Sequence, residues 1–329
     1  MYIALPEVFK AFSPKAVESI KDYLILLVRR YDILARSKYP NAPQVPQYVF
    51  RGESKFYPTY AIPAILRPND KKRDFTSFSN NSRIRKVECK EIRQFQEQNQ
   101  SKFSYDSEAP IWIALTQHYG GKTRLLDVTE DPLVALFFAC WKFKNNDSKP
   151  WDESTEGLVY IFPSGQFRIQ TIRRDIIEKL IDIKFLERIF AHFEHGIPSK
   201  FTKFFEDWTP NQTYKSISLG QLSRVKAILY RPLETDIELN NRIYKQDSWF
   251  LWWHPIEAIG IGAQGKLIRN ILTGHVHDII SDVHVIRIKG SVKEDILREL
   301  NRMKRYQPSS LFPDKMGEYM QQRLEKHLP

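Results

Sequence analysis

The chain has 329 residues of which 42% are apolar, enough for a substantial core and too many for a disordered chain. Fifty Lys and Arg against 39 Asp and Glu leave a formal charge of +11, a balance that favours anionic partners such as nucleic acid or nucleotide phosphates. The two cysteines, Cys89 and Cys140, are far apart and exclude a disulfide framework or a cysteine zinc site. With no amino-terminal signal pattern and a longest early apolar run of only residues 23–28, the expected setting is cytoplasmic, away from the membrane.

In chain order, residues 13–38 read as an amphipathic helix. Ser13 is placed to cap it, Pro14 opens it, and Val17, Ile20, Leu24, Leu27, Tyr31 and Leu34 recur at three and four residue steps. The proline-bearing linker 39–47 marks a boundary. Residues 48–52 then form a short apolar strand ending in Arg51 and Gly52. Arg51 reads either as a surface residue that pairs with Glu53 or as a bidentate grip on a phosphate or carboxylate. In the second reading Gly52 lets a ligand approach the backbone. Basic and serine-rich residues 68–82 read as a surface loop, and a charged helix is expected over 83–103, its Glu88 and Glu91 more often solvated or ion paired than functional.

Residues 117–143 concentrate the unusual chemistry. A polar turn (Gln117, His118, Tyr119, Gly120, Gly121) leads into an extended piece over 123–128, and Asp131 before Pro132 is a strong helix start. Beyond it Leu133, Val134, Leu136, Phe137, Phe138, Cys140 and Trp141 cover most of a helix circumference, which predicts a buried helix holding the polar mouth rigidly. Within the extended piece, Arg124 and Asp127 read equally as an internal ion pair, and His118 as a donor to a backbone carbonyl.

A strand is expected over 157–162 and a helical region over 171–208. The latter carries His192 and His195, but nothing nearby completes a metal site, and His275 with His277 is as weak. Residues 240–253 read as a polar turn with Arg242 and Gln246, entering an aromatic strand. Its Trp249, Phe250, Trp252 and Trp253 serve either core packing or base stacking. Strands follow over 257–262 and 284–288. Ser291 with Glu294 forms a capping box for a helix burying Ile296, Leu297, Leu300 and Met303, and a terminal helix follows residues 309–314.

FRG at 50–52, QHYGGKTRLLDVT at 117–129 with PLVALFFA at 132–139, and RIYKQDSWF at 242–250 together resemble the FRG domain family of bacterial and phage-related proteins. The family form QHYG-x-x-TRLLDWT is matched except for Val128, and SLFPD at 310–314 is a later family feature. The resemblance implies a domain over 44–322 with a helical insertion around 171–208, a helical extension at 1–43 and a tail at 323–329. Its wider likeness is to the ADP-ribosyltransferase fold: α+β, a split, mainly antiparallel sheet that clamps NAD, with added helices. By that resemblance Arg51, Asp127, Thr129 and Gln246 are catalytic. Gly52, His118, Tyr119, Arg124 and Arg242 bind the cofactor, NAD is the substrate and no metal is required. Gln246 stands where those enzymes often carry a glutamate, and a neutral amide can only hydrogen bond. The reading is an ADP-ribosyltransferase-like protein or NAD glycohydrolase, extending to a toxin or phage-defence effector that acts on nucleic acid or a nucleic-acid-bound protein. A non-catalytic nucleotide or nucleic-acid binding module is the alternative, and a nuclease the third.

Overall fold

The computed structural model describes residues 15–31, 48–56, 63–66, 81–99, 111–123, 125–143, 149–163, 228–230, 241–252 and 284–328. Arg124, Trp253, the two histidine pairs, the region 171–208 and the strand expected over 257–262 lie outside them. The described residues form an α+β fold around a six-stranded sheet. Its strands are β1 (Tyr48–Glu53), β2 (Leu125–Thr129), β3 (Gly157–Pro163), β4 (Ile228–Tyr230), β5 (Ser248–Trp252) and β6 (His284–Ile288), in the order β4-β5-β2-β1-β3-β6. Every pairing is antiparallel.

The pairings are unequal. β1 runs beside β3 along its whole length, from Tyr48 opposite Pro163 to Glu53 opposite Leu158. β2 is likewise zipped to β5 from Leu125 opposite Trp252 to Thr129 opposite Ser248. Between β1 and β2, only Phe50 and Thr129 stand opposite one another, so the sheet parts there into two halves hinged at one residue pair.

The buried helix expected after Asp131 is present as α4 (Pro132–Cys140). Asp131 caps it from extended backbone, its Oδ1 accepting from Leu133 N at 2.8 Å and Val134 N at 3.4 Å, and Pro132 occupies the first turn. Ala135 and Ala139, one helical turn apart, press onto β1 at Gly52. A Cβ added there would lie 1.9 Å from Ala135 O and 2.6 Å from Ala139 N. The openness of Gly52 therefore serves helix packing. With Phe50, Val159, Ile161, Ile286 and Ile288 from this face of the sheet, α4 builds the main core.

Two flanks of the sequence join that core more closely than expected. Of the helix expected over 13–38, the described residues hold α1 (Ile20–Tyr31), with 15–19 before it non-helical and 13, 14 and 32–38 outside the described residues. Residue Val17 instead bridges Ile288 on the edge strand β6, accepting from Lys289 N and donating to Arg287 O, so an otherwise open edge gains partners. Ser19, not Ser13, satisfies the helix start by accepting from Asp22 N at 3.1 Å. Tyr23 and Leu27 are buried in the core, and Tyr23 Oη donates to Pro132 O at 2.9 Å. At the other end, α8 (Lys315–His327) runs through the boundary expected at 322, with Leu324 fully buried.

Among the described residues the other helices are α2 (Asn81–Asn99), α3 (Ile111–His118), α5 (Asn241–Lys245), α6 (Lys293–Arg302) and α7 (Pro308–Leu311). The polar stretch before β5 is thus a short helix and turn, not a loop. Ser291 and Glu294 do not form a capping box. A tight turn over Gly290–Val292 precedes α6, Val292 at the cap makes no side-chain bond, and Glu294 pairs with Arg298 at 2.7 Å. The acids of that first turn, Glu294 and Asp295, still complement the helix dipole. No described helix is long and apolar enough to cross a membrane.

Candidate functional site

The polar residues of 117–131 are placed by two devices. The first is the end of α3. Gly120 takes φ of +90°, Gly121 N donates to Thr116 O at 2.8 Å, and Gly120 N donates to Gln117 O at 3.0 Å, which is the Schellman arrangement of a helix end. It fixes Gln117 and His118 in the last turn. The second is the parting of the sheet, which leaves the β2 main chain at Asp127 facing β1 without a ladder partner on that side.

Arg51 spans the gap. Its Nη1 donates to Asp127 O at 2.8 Å, its Nε donates to Glu53 Oε1 at 3.1 Å, and Nη1 lies 3.9 Å from Asp127 Oδ2. Glu53 is buried, so the pair forms in a low-dielectric setting where each charge stabilises the other. Arg51 thus pairs with Glu53, with only 18% of its side chain exposed.

Asp127 is enclosed from three directions. Gln117 Nε2 donates to Oδ2 at 2.7 Å, His118 Nδ1 stands 3.7 Å from Oδ1, and Arg51 adds its positive charge. Burial pulls the carboxyl upward, but His118, Arg51 and Gln117 together outweigh it and hold Asp127 below the ordinary carboxylate value. About a third of its side chain, 34%, still reaches solvent. The His118 side chain is 5% exposed, its ring edge-on to Phe250 at 6.2 Å between centroids, and among the described residues its Nε2 has no hydrogen-bond partner.

Gln117 was not singled out from the sequence, although the motif held the signal. Thr123 Oγ1 donates to Gln117 Oε1 at 2.7 Å and accepts from Leu125 N at 3.1 Å. The Gln and the Thr of QHYG-x-x-T are therefore two ends of one chain of bonds that terminates on Asp127.

Thr129 and Gln246 meet elsewhere, at the hinge end of the split. Thr129 Oγ1 donates to Gln246 O at 2.6 Å and accepts from Asp131 N at 3.0 Å, while Gln246 Nε2 donates to Leu311 O at 3.0 Å. Both residues are buried and bonded to main chain. The structure brings them to each other and, separately, brings Arg51, His118 and Asp127 together.

Arg242 and Tyr119 belong to a third group. The Arg242 guanidinium lies 4.7 Å from the Tyr119 ring centroid and 4.9 Å from that of Phe312, and it pairs with Asp314. Asp314 also caps α8, accepting from Met316 N at 3.0 Å. SLFPD is thereby clasped to RIYKQDS through Leu311, Phe312 and Asp314. Burial raises the Tyr119 hydroxyl above its usual value, with Arg242 acting against that and Asp314 with it. Next to this group Arg305 bridges Asp131 at 3.3 Å and also pairs with Asp247, and Tyr306 Oη donates to Asp131 Oδ2 at 3.0 Å.

Trp249 and Phe250 are buried, which settles the aromatic run at these two positions as core, with Trp249 Nε1 donating to Glu130 Oε2 at 3.1 Å. Glu88, expected at the surface of its helix, is buried. Among the described residues, no group of three or more His, Cys, Asp or Glu is arranged to hold a metal ion.

Comparison with curated proteins and with solved structures gave no match. The model of the FRG domain family matches residues 46–148, a span that runs from β1 past α4 and contains Arg51, Gln117, His118, Asp127 and Thr129. The hinge, the split and the buried helix that support the site all fall within it, and the chain carries an FRG domain.

Proposed function

We propose that the chain is an ADP-ribosyltransferase-like protein, or NAD glycohydrolase, that binds NAD as a substrate in the split between β1 and β2. One observation carries this reading: an antiparallel sheet hinged at Phe50 and Thr129, with Arg51, Asp127 and His118 gathered where it opens. A sheet of that kind is what the resemblance to the ADP-ribosyltransferase fold calls for. Arg51 supplies a planar, permanently charged fork suited to a diphosphate. Asp127 is kept ionised by its neighbours and lies where negative charge offsets the positive character of an oxocarbenium-like transition state as nicotinamide leaves. His118 and Tyr119 line the approach. Thr129 and Gln246 act in this reading as the latch that holds the third wall, between β2 and the turn before β5.

The test is titration of the full chain with NAD, followed by assay of nicotinamide release with and without RNA, DNA and protein acceptors. Binding that Arg51→Ala weakens at least tenfold supports the reading. Absence of both binding and release removes it.

The alternative, a non-catalytic nucleotide or nucleic-acid binding module, draws support from the engagement of Thr129 and Gln246 with main chain. In that case nucleotide binding survives, no nicotinamide is released, and any nucleic-acid binding weakens steeply with salt.

A further inference from the structure

Deepening the NAD reading, on which it rests, we propose that His118 takes the proton of the acceptor, so that the acceptor is a neutral O–H group and not an anionic phosphate or carboxylate. The structure supplies four observations. His118 is held in the last turn of α3 by the Gly120 and Gly121 bonds, with 5% of its side chain exposed. Its Nδ1 faces Asp127 Oδ1 at 3.7 Å, and that oxygen is itself buried without a hydrogen-bond partner. The opposite ring nitrogen, Nε2, is buried and unpartnered as well. Leaving such groups unsatisfied is costly, and folded proteins keep that cost where chemistry uses it.

The two facing atoms stand less than an ångström beyond hydrogen-bond distance, as catalytic pairs often do before ligand binds. With the Nδ1 proton directed at Asp127, Nε2 is the basic nitrogen. The step balances as follows. The ribose C1′–nicotinamide bond breaks with its electron pair leaving on nicotinamide, the acceptor oxygen bonds to C1′, and the O–H proton passes to Nε2. Asp127 then faces an imidazolium. The other groups around the pair are Arg51 from β1, Gln117 and Tyr119 from the end of α3, and the apolar Phe250 from β5. Among these Asp127 is the carboxylate, and it serves as the positioning residue. An acceptor that is already an anion would need no such base.

The experiment uses the full chain and NAD, with water as acceptor in one arm and added methanol in the other, product analysis separating ADP-ribose from methyl ADP-ribose. His118→Gln is expected to lower kcat on the order of 100-fold in both arms, with NAD affinity changed less than threefold. In His118→Ala, added imidazole restores part of the rate, a response that a purely structural histidine does not give. Asp127→Asn moves the acid limb of the pH–rate profile and lowers kcat more than it raises KM. Wild-type turnover with His118→Gln equally fast overturns this inference and leaves the NAD reading standing. NAD bound but never turned over overturns this inference and leaves the non-catalytic alternative in place of the NAD-as-substrate reading, whereas no NAD binding by the wild type overturns both.

Discussion

Arg51 Nη1 donates to the main-chain carbonyl of Asp127 at 2.8 Å, across the place where β1 and β2 part. One side chain thus supplies the cross-strand bond that the ladder lacks, while its Nε is held by Glu53. A lysine has a single ammonium and cannot keep both bonds in that geometry. Arg51→Lys should lower stability by about 1.5–3 kcal/mol, the range for hydrogen bonds to charged groups, and weaken NAD binding. Urea unfolding and NAD titration on the same variant measure the two effects. A variant with wild-type values in both would show that the bridge is incidental.

Gly52 is where α4 comes closest to the sheet. Gly52→Ala places a Cβ against Ala135 O and Ala139 N, which are backbone atoms of a buried helix and cannot rotate away. The expected loss is about 3 kcal/mol or more, read as a lowered unfolding midpoint. An unchanged midpoint would mean that α4 is free to slide.

The Thr129 hydroxyl joins two segments that are distant in sequence. Thr129→Val keeps the shape but strands Asp131 N and Gln246 O, both near the start of α4 or the turn before β5. A loss of about 1–3 kcal/mol is expected, and Thr129→Ser should recover most of it. Thermal melts of the pair decide the matter. If valine is as stable as serine, the latch is not a stabilising contact.

Acid should act through Asp127. Its folded carboxyl lies below its unfolded value, so the unfolded chain takes up the proton first and falling pH favours unfolding. The contribution is fully present above the unfolded value of about 3.9 and disappears as pH drops through the folded value. Asp127→Asn should therefore be less stable than wild type near neutrality, with the gap narrowing as pH is lowered through that window. Melting temperatures measured across the acid range would contradict this if the two curves stayed parallel.

How much of this was legible in the sequence depended on the range of the forces involved. Asp131 and Pro132 at the head of α4 were readable because capping and the proline constraint act within four residues. The strands β1, β3 and β6 were readable from short apolar runs. The start of α1 was misplaced because Val17 has the helical spacing but finds a bonding partner on β6, 271 residues downstream, that the local pattern does not reveal. The box at Ser291 failed for the opposite reason: the letters were right, yet a tight turn over Gly290–Val292 moved the cap one residue on, to Val292.

The site shows the same division. Arg51, His118 and Asp127 were named from motifs, and their meeting requires the sheet to part, which depends on pairing rather than composition. Gln246 and Arg242 were named as pocket residues, but their partners Leu311, Phe312 and Asp314 lie more than sixty positions away. The contacts of these two residues with the SLFPD segment join chain stretches that no local pattern links. Gln117 was not counted among the site residues because its bond to Asp127 joins the end of α3 to β2, a meeting that the motif's letters do not show.

The clasp between Arg242, Gln246 and residues 311–314 also bears on the order in which the protein becomes competent. Synthesis runs from the amino end, so the strand pair β2 and β5 can form on the ribosome before Leu311, Phe312 and Asp314 have been translated. Until then the Gln246 amide nitrogen and the Arg242 guanidinium lack the carbonyl, ring and carboxylate that seat them. A nascent chain stalled before residue 311 would carry the FRG letters in full and still have an unfastened wall. Activity would then arrive late in translation, as a property of the finished polypeptide.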